Sequence, residues 1–161
     1  MNLKLIGALS ALVLLSACAE KKVETAASTG TGTAMAAPSI MPGSEEDLVK
    51  NVGDRVFYAF NKSTLNSDDK GTLDRQSMWL AKYPNVNVQI AGNCDERGTE
   101  EYNIALGQRR ANGARDYLVA KGTAATRITT ISYGKDRPQP DALGHDEASW
   151  AKNRNAVTSV K

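Results

Sequence analysis

The chain has 161 residues, with 20 Lys+Arg against 18 Asp+Glu for a formal net charge of +2. That near-balance and the absence of any long run of like charges exclude an electrostatic nucleic-acid binder, and the length suits one domain with a tail rather than two domains. The hydrophobic share of 41% is ordinary, but much of it lies in the first 17 residues, so the rest is more polar than the average.

Residues 1–17 carry Lys4 and then an apolar run from Leu5 to Leu15. The run has the length of a signal-peptide core and is too short to span a bilayer. It ends in Leu15-Ser16-Ala17-Cys18, which resembles the bacterial lipobox, where a cysteine takes a diacylglyceryl group before cleavage. Cys18 is therefore the expected lipidation site and mature N-terminus. Membrane attachment follows, because each buried acyl CH₂ contributes about 0.8 kcal/mol and several chains make the anchorage lasting. Ala19 in place of Asp resembles an outer-membrane address, with the folded part in the periplasm. Residues 18–44 are rich in Ala, Ser, Thr, Gly and Pro, a composition too poor in large apolar groups to offset the entropy of ordering, so they read as a flexible linker.

The folded domain is expected over 45–161. Val56–Phe60 is a β-branched and aromatic run and predicts a first strand. Asn66 or Ser67 caps a helix with Asp68 and Asp69 in its first turn, running to about Ala81 before Tyr83-Pro84 stops it. Val86–Ile90 alternates as a half-buried strand, and Gly92–Gly98 follows as a loop. A second helix starts near Thr99 and ends at Lys121-Gly122. Arg127–Tyr133 predicts a third strand, Gly134–Gly144 a loop, His145 to about Arg154 a third helix, and Asn155–Val160 a final strand. The order βαβαβ then αβ implies an α+β fold with helices layered on one sheet, while leaving the strand order open. Once Cys18 carries lipid, Cys94 has no disulfide partner and is expected as a small buried thiol. The only histidine, His145, offers it no recognisable triad.

Asn93–Leu118 reads NCDERGTEEYNIALGQRRANGARDYL. This segment resembles the OmpA-like peptidoglycan-binding domain, whose helix signature is matched by Asn103, Leu106, Arg110 and Ala111. Asp95–Thr99, Ile131–Lys135 and Gly144–Ala148 resemble its peptidoglycan-associated lipoprotein branch. The resemblance runs from about Val52 to Val157. It implies non-covalent binding of the diaminopimelate-containing stem peptide, with TolB-like and TolA-like partners in a Tol envelope system serving envelope integrity and cell division. Among site residues it implies Asp95 and Arg110 as ligand contacts; Arg97 and Asn103 are expected to shape the site, and Thr99 is a candidate contact at the start of the helix.

The chemistry of these residue types agrees with that implication. Diaminopimelate presents an ammonium and a carboxylate on one carbon; a guanidinium grips the carboxylate with a two-pronged hydrogen-bonded pair and an aspartate accepts from the ammonium. Asn103 and Arg110 are seven residues apart and share a helix face, while Gly107, Ala111, Ala114 and Leu118 form a packing stripe. Gly98 permits a tight turn into the helix, leaving Thr99 and the next amides to meet an anion. The blander alternative for Asp95 and Arg110 is a solvated surface pair of under about 1 kcal/mol. Three departures from the family pattern stand out: Asn93 stands for its usual histidine, Ala59-Phe60-Asn61 for an acid-rich strand end, and Asn155 for a second arginine after Arg154. Fewer acids should reduce help for a ligand ammonium, and Asn155 should remove a cation or a packing contact.

Two further readings compete. Asp95 and Glu96 are the carboxylates a wall hydrolase would need, but neighbours in an extended loop point apart, and no enzyme is expected. A generic OmpA-like lipoprotein outside the Tol system keeps the same fold. No metal-ligand spacing is present and no cofactor is expected. His145 and Trp150 read as helix start and core packing.

Overall fold

The computed structural model describes residues 40–161. The signal segment, Cys18 and most of the expected linker lie outside the described residues.

A turn at Met41–Ser44 leads into α1 (Glu45–Asp47), which continues as a π-helical turn over Leu48–Val52. Strand β1 (Arg55–Phe57), α2 (Ser67–Lys82), β2 (Val88–Asn93), α3 (Glu100–Ala120), β3 (Ile128–Gly134), α4 (Glu147–Asn153) and β4 (Asn155–Val160) follow. The sheet order is β1-β4-β2-β3, with β2 and β3 parallel and β4 antiparallel to both β1 and β2. The last strand thus inserts between the first two, the relationship that pattern alone left open. The α+β expectation holds, with α2 and α3 supplying the core against the sheet.

Local chemistry explains the helix ends. Asn66 Oδ1 accepts from the amides of Asp68 and Asp69, and Asp69 Oδ2 accepts from the Asn66 amide at 3.0 Å, a reciprocal capping box. Thr99 Oγ1 accepts from the Tyr102 amide and caps α3. Leu73 and Leu80 of α2, Ala111, Ala114 and Leu118 of α3, and Val88 and Ile90 of β2 are buried together. The packing stripe read from the sequence therefore faces the core, as periodicity requires.

The helix α3 lies unusually close to β2, because two glycines meet. A Cβ on Gly92 would stand 1.8 Å from the Gly107 carbonyl oxygen, and one on Gly107 would stand 2.7 Å from the Gly92 oxygen. No side chain fits there, so the pair sets the depth at which α3 carries Asn103 and Arg110 past the end of β2.

Two strands differ from expectation. β1 ends at Phe57, because after Tyr58, whose amide still donates to the Arg154 carbonyl at 2.8 Å, the backbone turns through Asn61 at φ 57°. That turn carries Phe60 and Asn61 out to the rim of a cleft. β2 starts and ends later than the 86–90 pattern, since Gly92 and Asn93 still pair with β3 across a register shift. The α1 turn was not foreseen. Its sequence signal is one leucine, Leu48, among charged residues, yet Leu48 is fully buried.

Candidate functional site

Where β2 ends and α3 begins, Phe60, Asp95, Arg97, Asn103, Arg110 and Arg154 line a cleft of about 140 Å³, with Asn61 and Tyr102 at the rim. That is room for several waters or one small polar head group. Gly98, at φ 93°, makes the turn that delivers the chain into α3.

Arg110 forms the floor. It is wholly buried, and Nε donates to the Lys62 carbonyl at 2.9 Å and Nη1 to the Asn93 carbonyl at 2.7 Å. Nη1 also meets Cys94 Sγ and Nη2 the Ala59 carbonyl, both at 3.4 Å. Among the described residues no carboxylate lies within ion-pair distance of it. Burial pulls its pKa below the ordinary arginine value, although a guanidinium remains charged. Four of the five N–H groups of a guanidinium are thereby engaged, which corrects the two-pronged grip expected from the sequence. Arg110 offers an incoming carboxylate its uncompensated charge and one N–H. It is also no solvated surface residue.

Asp95 is 3% exposed and likewise not a surface ion. Its partners are Arg97, with Nη2 to Oδ2 at 2.6 Å, and Arg154, with Nη1 to Oδ2 at 3.3 Å, rather than Arg110. Burial raises its pKa, but the hydrogen bonds from Arg97 and Arg154 outweigh it and leave the carboxyl below its ordinary range. Arg154, missed from the sequence, is fixed by the Tyr58 carbonyl at 3.0 Å and Glu147 at 2.7 Å. The cleft lining holds three arginines, Arg97, Arg110 and Arg154, against one carboxylate, Asp95, with Glu96 and Glu147 near Arg97 but outside the lining, so the lining itself carries a surplus of positive charge.

Asn103 shapes the loop: its Nδ2 donates to the carbonyls of Arg97 at 2.9 Å and Thr99 at 3.0 Å. Thr99 is placed elsewhere than expected for an anion contact. Its hydroxyl serves as the helix cap and it stands exposed outside the cleft lining. Cys94 is buried as expected, 4% exposed, with burial pushing its thiol pKa up.

Glu96 and Asp95 point apart. Glu96 lies outside, accepting from the Trp150 indole at 2.8 Å and meeting His145 Nδ1 at 2.7 Å. Trp150 therefore does not pack in the core. Its ring centroid lies 4.1 Å from the Arg97 guanidinium, and that of Phe60 lies 4.0 Å from the same guanidinium. Phe60 is legible as the end of an aromatic run and as part of the Ala59-Phe60-Asn61 departure near the site, but its stacking on Arg97 is not; Trp150 reads as core packing, and that signal does not point at the cleft.

The OmpA family model matches residues 57–154. A protein of Rhizobium meliloti named peptidoglycan-associated lipoprotein is 46% identical over 151 residues, covering 94% of this chain and 84% of that protein. A protein of the same name from Mesorhizobium japonicum is 46% identical over 95% of this chain and 89% of its own length. The crystal structure of the peptidoglycan-associated lipoprotein from Burkholderia pseudomallei superposes with a TM-score of 0.64 at 39% identity, covering 67% of this chain and 90% of that one.

Proposed function

The chain belongs to the OmpA family, among the peptidoglycan-associated lipoproteins, and from that premise we propose that it binds peptidoglycan through this cleft. It is a binding protein and not an enzyme, as its relatives' names indicate. The observation that carries the site assignment is Arg110, a buried guanidinium with no carboxylate partner among the described residues, forming the cleft floor beside Asp95. A buried cation without a counter-ion is costly, and an incoming carboxylate relieves that cost. The amino-acid head of diaminopimelate supplies the carboxylate to Arg110 and the ammonium to Asp95, within an apolar wall of Phe60 and Leu106.

The rest of the proposal places the domain, residues 45–161, in the periplasm, tethered by residues 18–44 to lipid on Cys18 in the outer membrane. It links that membrane to the wall, with TolB-like and TolA-like partners in envelope integrity and cell division. Support comes from the lipobox-like Leu15–Cys18, the Ala/Ser/Gly/Pro linker and the lipoprotein relatives.

The test is pelleting of the full chain, in detergent, with purified peptidoglycan. Asp95→Asn should stay folded and lose about 2–4 kcal/mol of binding, since one member of a buried charged pair has gone. Arg110→Ala is the less clean variant, because it also strands the Lys62 and Asn93 carbonyls. Equal pelleting of folded Asp95→Asn and wild type sinks the site assignment.

A further inference from the structure

The carboxylate to which the ligand's ammonium is assigned is already occupied. Arg97 Nε and Nη2 approach its two oxygens at 3.2 and 2.6 Å, and the Arg97 amide adds a contact at 3.1 Å. This is a two-pronged pairing, the strongest form an arginine makes with a carboxylate. The two partners are unlike in access. The Arg97 side chain is 30% exposed and that of Asp95 only 4%. Arg154, the second cation on Asp95, is 8% exposed and fixed at its other nitrogens by Tyr58 and Glu147, so it cannot leave readily. Arg97 can. Its Nη1 already lies 3.7 Å from Glu147, a largely exposed carboxylate able to receive it.

We infer that Arg97 is a built-in occupant of the ammonium subsite, its guanidinium holding Asp95 in the free protein and leaving when the ammonium of the ligand arrives. The inference rests on the reading of the cleft as a wall-peptide site. The rings of Phe60 and Trp150, 4.0 and 4.1 Å from the guanidinium, give it a flat slot suited to a weakly hydrated planar cation. Binding is then an exchange of one cation for another, so Asp95 keeps a close cation besides Arg154, which stays at 3.3 Å. Affinity is lowered by the cost of displacing Arg97. A peptide that lacks the ammonium has nothing to offer Asp95 in return, leaves Arg97 in place, and gains nothing from its removal.

The experiment titrates the full chain, in detergent, with two stem peptides: one carrying free diaminopimelate and one with that amine acetylated. Wild type, Arg97→Ala and Arg97→Lys are compared, each checked for folding by circular dichroism. Exchange predicts that Arg97→Ala binds the free-amine peptide on the order of tenfold tighter than wild type and the acetylated peptide no tighter. Arg97→Lys keeps the charge but loses the fork and the flat stack, so it too binds the free-amine peptide tighter than wild type. If Arg97→Lys binds as wild type does, bulk charge alone operates and the exchange is overturned. It is likewise overturned if Arg97→Ala binds the free-amine peptide no tighter than wild type. Wild type that binds neither peptide overturns the wall-peptide reading itself, a result distinct from wild-type binding unaffected by Arg97.

Discussion

Asn93 and Asn155, 62 residues apart in sequence, are hydrogen-bonded at 2.7 Å, Nδ2 of the first donating to Oδ1 of the second. Both are positions where the sequence predicts an altered site, and they are 4% and 0% exposed. Neither lines the cleft. Asn155 thus leaves no gap where a cation is missing: its own Nδ2 donates to the Lys152 carbonyl at 2.7 Å, tying the end of α4 to the start of β4. The Asn93 carbonyl is meanwhile the acceptor for Arg110 Nη1.

The pair is therefore one structural unit under the cleft floor. Asn93→Ala or Asn155→Ala leaves a buried amide without its partner and should cost about 1–3 kcal/mol in urea unfolding. The double variant should cost clearly less than the sum of the two, because the lost bond is shared. Additive single effects would show that the contact contributes nothing to stability.

The Gly92–Gly107 contact gives a sharper result. Alanine at position 92 puts a methyl 1.8 Å from a backbone oxygen that cannot move without shifting α3. At position 107 the closest atom, at 2.3 Å, is the Ser132 hydroxyl, which can rotate, although the Gly92 oxygen at 2.7 Å cannot. Gly92→Ala should lose about 3 kcal/mol or more and Gly107→Ala less, read as thermal midpoints. Both should weaken wall binding, because the displaced helix carries Asn103 and Arg110. A Gly92→Ala chain as stable as wild type would refute the close approach.

Long elements with strong local signals were legible: α2 from its asparagine cap and Asp-rich first turn, α3 from Thr99 to Lys121-Gly122, and β4 residue for residue. What escaped was set by distant partners. The short α1 turn exists because Asp47 reaches Trp79, and no periodicity over three residues announces that. Arg110 was found as a site residue, but its engagement with the Lys62, Ala59 and Asn93 carbonyls comes from loops that pattern does not place. Trp150 reads as core in any helical pattern, and only the fold shows it stacked on Arg97.

Asp47 makes stability depend on pH. It accepts from Asn51 Nδ2 at 2.8 Å, the Gly43 amide at 2.8 Å and the Trp79 indole at 2.9 Å, and these bonds hold its pKa at about 2 against an ordinary 3.8. A carboxyl lowered on folding stabilises the native state above its unfolded pKa and loses that contribution as pH falls through the folded one. The unfolding free energy should therefore decline as pH drops from about 4 to 2, and Asp47→Asn should flatten part of that decline. An identical slope in wild type and variant between those limits would remove Asp47 as its source.

Asn61, where the sequence also predicts an altered site, lies at the rim of the cleft itself and accepts a hydrogen bond from the Tyr102 hydroxyl. Its φ of 57° is one that asparagine and aspartate both tolerate, so Asn61→Asp keeps the turn and the acceptor while adding a negative charge. The cleft carries surplus positive charge from three arginines, and a ligand ammonium entering past the rim meets a neutral amide where a carboxylate would attract it. Asn61→Asp should bind peptidoglycan more tightly by about 0.5–1 kcal/mol, a modest gain because the position is exposed. The gain should shrink as salt rises, since solvent-exposed charges are screened over about 10 Å at 0.1 M. Pelleting across a salt series decides it: a gain that persists unchanged at high salt, or no gain at low salt, would rule out the rim acid as a determinant of affinity.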